Sequence, residues 1–230
     1  IKGFFNASIS GITFGLIPLF AVPVLATGMH STSVLIYRYA FGCLAMLGML
    51  MFHRTRMWLA FGDFLRILFL SSAYAASSIA LIEGYNYMAS GIATTLLFSY
   101  PVWTEVLLIL FFHEKVTLRI VIAIVCAIIG VFFLGGIGQT GGIKSMLGVV
   151  LAMLSGLLYA IYMVIFPHMR VSKLPALKVN FYIFFIAMLF LILYSSFTTG
   201  GVQKIGDSRS LISLVLLGLV PTTISNVTLV

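Results

Sequence analysis

Apolar residues run in stretches about as long as a bilayer crossing, separated by short polar connections, along nearly all of the chain. Eight such stretches stand out, at 3–27, 32–52, 65–87, 90–112, 117–136, 146–167, 178–198 and 211–230. A hydrocarbon core about 30 Å thick takes roughly 20 helical residues per crossing, and the first stretch, Gly3 to Thr27, contains no charge. Backbone amides in lipid must be satisfied internally, so only helices or a closed barrel can span. Long apolar runs without alternation of period two select helices. The pattern predicts an all-α polytopic transmembrane helix bundle.

Composition supports the same solvent. Hydrophobic residues make up 62% of the chain and charged ones 8%, with a mean hydropathy of +1.20, far from the balance of a soluble domain. The net charge of +8 has its explanation in topology. With the amino terminus inside, Lys2, Arg54, Arg56, Arg66, Lys115, Arg119, Arg170, Lys173 and Lys178 lie at the inner surface. Only Lys144, Lys204 and Arg209 lie outside, so nucleic acid is not needed to explain the basic charge. The expected setting is a bacterial cytoplasmic membrane. Residues His53 to Phe64 mix aromatics with Arg54 and Arg56, which suits either a segment along the headgroup boundary or a plain loop. Cys43 and Cys126 both fall in predicted spans as small hydrophobes, which leaves no disulfide framework or metal spacing. No cofactor is implied.

The first span is too long and too poorly flanked for a cleaved signal peptide. The chain begins without Met and stops at Thr228, Leu229, Val230 inside an apolar run, so further sequence is expected. The glycine-rich segment 137–145 separates two parts that look related. Ala7, Ser10, Gly11, Phe14 and Gly15 are matched by Ala152, Ser155, Gly156, Tyr159 and Ala160 at a constant offset of 145, which also pairs Val34 with Val179 and Tyr37 with Tyr182. A repeat unit of five spans, an odd number, makes the second copy enter from the opposite side. The expected organisation is therefore a 5+5 inverted repeat. Residues 1–136 form its first copy, and 146–230 an incomplete second one, with eight spans present of ten.

At this point the sequence resembles the drug/metabolite transporter superfamily, in its ten-span EamA-like branch. The resemblance rests on several short matches. Arg38 with Tyr39 fits the second-span Arg beside an aromatic, and the stretch Ala93 to Pro101 fits a polar-small run leading to a fourth-span Pro. Glu114, Lys115, Val116, Thr117 fits the turn before span five, Gly130 and Val131 its close, and Tyr159 with Ala160 the sixth-span aromatic-Ala pair. Phe14 stands where the family usually has Trp. The resemblance implies a permease for small metabolites, a class that covers amino acids, sugars, nucleosides and drugs.

Charge and polarity inside spans nominate the residues that matter. A charge at the bilayer centre costs about 2.5–3.5 kcal/mol on insertion scales, so each needs a reason. Arg38 sits about 10 Å below the outer end of span two, and Glu83 near the outer end of span three. The two suit a gate or coupling pair, or else a static ion pair or separate snorkelling, of which the static pair is the commoner use. Glu105, four residues after Pro101, is a candidate proton carrier or a boundary carboxylate paired with Arg66 or Lys115. Pro101 takes a donor from the Leu97 carbonyl and predicts a kink near the bilayer middle. Substrate-binding candidates are Ser10, Phe14, Tyr74, Ser77, Thr94, Ser99, Tyr159, Thr222 and Asn226, each weighed against ordinary helix packing or bonding to its own backbone. Pro221, Thr222 and Thr223 are expected to break span eight.

The leading expectation is a secondary transporter, exporting an amino acid or similar amphipathic solute by alternating access around a midplane cavity, with protons as a candidate coupling ion. No phosphate-binding loop, Gly-x-Ser-x-Gly turn or His-Glu-x-x-His helix is present, so an ATP-driven pump or an enzyme lacks its chemistry. A membrane-embedded enzyme without such a motif and a polytopic receptor are the alternatives. The expected partners are the small solute and the lipid bilayer, and the sequence fixes no oligomeric state.

Overall fold

A computed structural model describes residues 16–113 and 145–224, with isolated positions at 13, 118, 121–122, 125–126 and 129. Every regular element among the described residues is helical. In chain order these are α1 (Ile17–Ala26), α2 (Ser31–Phe52), α3 (Phe61–Tyr85), α4 (Ser90–Leu97), α5 (Tyr100–Phe112), α6 (Met146–His168), α7 (Ala176–Thr198) and α8 (Ser208–Gly218). A 3₁₀ turn at Arg170–Lys173 precedes α7, and a π-helical turn at Leu219–Ile224 continues α8. Five stretches are long and apolar enough to cross a membrane: Ser31–Phe52, Phe61–Tyr85, Gly91–Phe112, Met146–His168 and Ala176–Thr198. The protein is a polytopic bundle of membrane-spanning helices. Exposure follows the bilayer logic, since Phe52, Phe61 and Phe197 present apolar rings outward that water would not tolerate in such number.

Local sequence sets the helix ends. Gly28, at φ +85°, terminates the turn after α1, where Thr27 Oγ1 also donates to the Val24 carbonyl. After α2 the amides of Arg54 and Thr55 return to the carbonyls of Met51 and Leu50, the reciprocal closure of a Schellman motif. Arg54 takes the left-handed position at φ +49°, which glycine usually fills. Asp63 in the first turn of α3 binds Arg66 at 2.9 Å and adds a favourable charge at the helix start. Ser145 caps α6 by accepting from the Leu147 amide.

The chain forms two compact units. The first comprises residues 1–72 and 170–230, hence α1, α2, the start of α3, α7 and α8. Its most extensive packing joins α2 to α7, with Tyr39, Met46, Leu50, Val179, Ile183 and Leu191 fully buried. A second cluster joins α1, α2 and α8 through Val24, Val34, Leu214 and Leu217. The crossing of α2 and α8 is close because it is made at glycines. A Cβ on Gly218 would lie 2.6 Å from the Phe41 Cβ, and one on Gly42 would lie 3.0 Å from the Thr222 methyl.

The second unit, residues 73–169, contains the end of α3 with α4, α5 and α6. Helix α6 packs along both α4 and α5. Gly148 admits Tyr87 and Met88, whose atoms would lie 2.7 and 2.9 Å from an added Cβ, and Ala152 closes a core with Met88, Ile92 and Ala93. Seven of the eight predicted spans coincide with described helices, spans one and eight only in part. Span five, predicted at 117–136, and the glycine-rich linker lie almost wholly outside the described residues.

Candidate functional site

In the second unit the predicted kink at Pro101 is a two-residue interruption of the α-helix at Phe98 and Ser99, within the span Gly91–Phe112. Helix α4 stops at Leu97 and α5 starts at Tyr100, with Pro101 in its first turn, where a missing N–H is tolerated. The amides of Phe98 and Ser99 fold back onto the Thr94 and Leu96 carbonyls, and Pro101 has no N–H to return to Leu97. Gly156 of α6 is pressed against this break. A Cβ there would lie 3.2 Å from Ser99 Oγ and 3.3 Å from the Leu97 carbonyl oxygen. Ser99 Oγ is buried and has no hydrogen-bond partner among the described residues, which is costly unless something polar reaches it.

Aromatic side chains gather beside the break. Tyr100 meets Tyr159 edge to face at 5.0 Å between centroids, and Tyr159 lies 5.9 Å from Tyr162. Tyr74 of α3 approaches Tyr159 at 6.1 Å and Tyr162 at 5.6 Å. These are ordinary aromatic pair geometries, so the cluster holds α3, α5 and α6 in register. The arrangement offers a hydroxyl with no partner among the described residues, at a helix interruption next to flat, polarizable ring faces.

Other predicted residues are bound into the fold. Ser77 donates to the Ser155 carbonyl at 2.9 Å and Ser155 donates to the Ser77 carbonyl at 2.7 Å, a reciprocal pair joining α3 to α6. Thr94 Oγ1 bonds the Tyr85 hydroxyl at 3.2 Å. Glu83 accepts from the Asn86 side chain at 3.1 Å, and Glu105 is half-buried on α5. Arg66, expected beside Glu105, is held by Asp63, a residue the sequence reading passed over.

In the first unit Arg38 is buried, 7% exposed, with Nε donating to Thr222 Oγ1 at 2.8 Å and the guanidinium 5.8 Å from the Tyr39 ring centre. The expected break of span eight is a π-helical turn, where the side-chain hydroxyls of Thr222 and Thr223 donate to the carbonyls of Leu217 and Gly218. Ser10, Phe14 and Asn226 lie outside the described residues. A separate cavity of about 400 Å³, lined by Thr27, Gly28, Met29, Gln203, Lys204, Gly206, Asp207 and Ser210, sits where α1 ends and α8 begins. The sequence reading missed it, although Lys204 and Asp207 as opposite charges in one short connection were visible. It also missed Trp103, whose indole would touch an added Cβ at Gly156 at 3.6 Å. No cluster of metal-ligating side chains occurs among the described residues.

Interrupted membrane-spanning helices of this kind recur in transport proteins. The EamA-like transporter family matches residues 1–136, and the chain belongs to that family. No curated protein matches the chain. A solved structure described only as the crystal structure of a protein superposes with a TM-score of 0.71 at 13% identity, covering 97% of this chain and 77% of that one, which is a likeness of fold.

Proposed function

We propose that the protein is a secondary transporter that exports a small amphipathic metabolite, an amino acid or similar solute, by alternating access around the α4–α5 break. The observation that carries this reading is the buried hydroxyl of Ser99, without a hydrogen-bond partner among the described residues, at an interrupted span packed against Gly156. Interrupted spans supply backbone polarity at membrane depth only where it lines a cavity or binds a ligand. Tyr74, Tyr100 and Tyr159 then provide faces for the apolar part of the solute, and Thr94 lies one turn before the break. Ser10, Phe14, Thr222 and Asn226 stay proposed as binding residues on the sequence pattern alone, and the Thr222 hydroxyl is bonded to Arg38 and to the Leu217 carbonyl. Ser77, fully engaged with Ser155, contributes by fixing α3 on α6.

Glu105, five residues beyond Tyr100 on the same helix, is the proposed proton carrier, and Arg38 with Glu83 the proposed gating or locking charges. The proposed 5+5 inverted repeat is supported by the antiparallel course of α2 and α7, the second helices of the two sequence halves. The proposed placement of the amino terminus inside a bacterial cytoplasmic membrane rests on the distribution of Lys and Arg. Uptake and efflux of a metabolite panel in sealed proteoliposomes, with and without a pH gradient, test the reading. A Ser99→Ala protein should fold normally and lose flux of the transported solute. Full flux in Ser99→Ala removes the site assignment, and full gradient-driven flux in Glu105→Gln removes proton coupling through that carboxyl.

A further inference from the structure

The offset of 145 that pairs Tyr37 with Tyr182 leads to a set of contacts that the transport reading leaves unused. Tyr37, near the start of α2, donates its hydroxyl to the Gln203 carbonyl at 2.8 Å, in the connection that leaves α7. Tyr182, near the start of α7, donates to the Met57 carbonyl at 2.6 Å, in the connection that leaves α2. A second bond reinforces each end. The Gln203 amide donates to Ser33 Oγ at 3.0 Å, and Lys178 Nζ donates to the Trp58 carbonyl at 2.6 Å. Ser33 and Lys178, like Trp58 and Gln203, are themselves 145 apart, so the two ends exchange partners under one sequence offset. Midway, Tyr39 stacks on Phe184 at 5.4 Å, and this pair too is 145 apart.

We infer that α2 and α7 form a clamped antiparallel axis that stays closed at both ends throughout the transport cycle, with Tyr37 and Tyr182 as its positioning residues. The function assigned to this axis rests on the transport reading. Three observations support a static pair over two gates. Both end clamps are closed in the same conformation, as a static pair requires. Lys178 is 5% exposed and Tyr39 fully buried, so parting the helices would strand an ammonium and open a close-packed seam. Each clamp also ties a connection to the facing helix by two hydrogen bonds, both of which must break for that end to open.

The test is crosslinking across each clamp in a protein with Cys43 and Cys126 replaced by Ala. The 3.0 Å bond from the Gln203 amide to Ser33 Oγ leaves the two Cα atoms no more than about 7 Å apart, so Ser33→Cys with Gln203→Cys should form a disulfide. Trp58→Cys with Lys178→Cys is bridged by a short bifunctional methanethiosulfonate. Flux after crosslinking at both ends should equal flux of the same protein reduced. Loss of flux on crosslinking that returns on reduction overturns the proposal.

A second readout needs no transport activity. Spin labels at Leu44→Cys and Leu189→Cys, on exposed faces of the two helices, should give one narrow distance distribution, unchanged by pH or by added solute. A broad or shifting distribution overturns the static axis, whatever the proteoliposomes show. Absence of flux for every solute tested, with that distribution narrow, removes the transport reading and leaves the clamp.

Discussion

Replacing Gly218 by Ala puts a methyl group where α8 has no room for one. The new Cβ would stand 2.6 Å from the Phe41 Cβ, 3.0 Å from the Arg38 carbonyl oxygen and 3.1 Å from the Gly42 nitrogen, and two of these three atoms are backbone. Carbon atoms in contact prefer about 3.5–4.0 Å, so α8 must back away by about 1 Å. The Arg38–Thr222 bond, now 2.8 Å, then lengthens beyond useful range. Overpacking costs about 1–3 kcal/mol, a polar bond between membrane helices about 0.6–2 kcal/mol, and the helix propensity of Ala returns up to about 1 kcal/mol. One displacement causes both losses, so they do not sum fully, and the net expectation is about 1–3 kcal/mol. For a chain of this size that lowers the melting temperature by roughly 2–12 °C. Thermal unfolding in detergent micelles measures it, with Gly48→Ala on α2 as control because a Cβ there meets nothing within 4 Å. Gly218→Ala melting at or above the parent and Gly48→Ala would refute the steric argument.

Ser77→Ala should reduce stability by about 0.6–2 kcal/mol while flux per folded molecule stays near that of the parent, read by denaturant titration beside vesicle transport; a selective loss of flux would return Ser77 to the substrate. Pro101→Ala restores an N–H to the Leu97 carbonyl, and transport should fall with stability unchanged or raised, since a continuous helix no longer presents the break. Arg54→Gly relieves a left-handed residue and should stabilise by about 0.5–1 kcal/mol in the same thermal assay, without effect on flux.

The helices were legible because lipid imposes a simple rule. A run such as 176–198 must be apolar and helical wherever it lies in the bundle, and observed α7 begins within two residues of the span predicted at 178. Pro101 marked the interruption of span four for a similarly local reason, the loss of one donor. What the sequence did not show is that Gly156, lacking a Cβ, is the residue packed against this interruption, close to Ser99 Oγ and the Leu97 carbonyl. Apolar composition conceals such pairings, since any small residue on any neighbouring span looks equally suitable. Ser77 shows the limit from the other side. Its hydroxyl was a fair candidate for substrate until the structure placed Ser155 against it.

Chain chemistry alone therefore determined the solvent, the positions of the crossings that the described residues show and the point where span four is interrupted, because those follow from hydration of backbone and side chains residue by residue. Tertiary structure decided which hydroxyls are spent and which is left over. It gave Arg38 to Thr222, Ser77 to Ser155 and the two tyrosines at offset 145 to each other's connections, while Ser99 received no described partner. The reason is that a hydrogen bond between helices needs two groups within about 3 Å, and residues 78 to 184 positions apart meet at that range only through the packing of glycines and rings that no local pattern encodes.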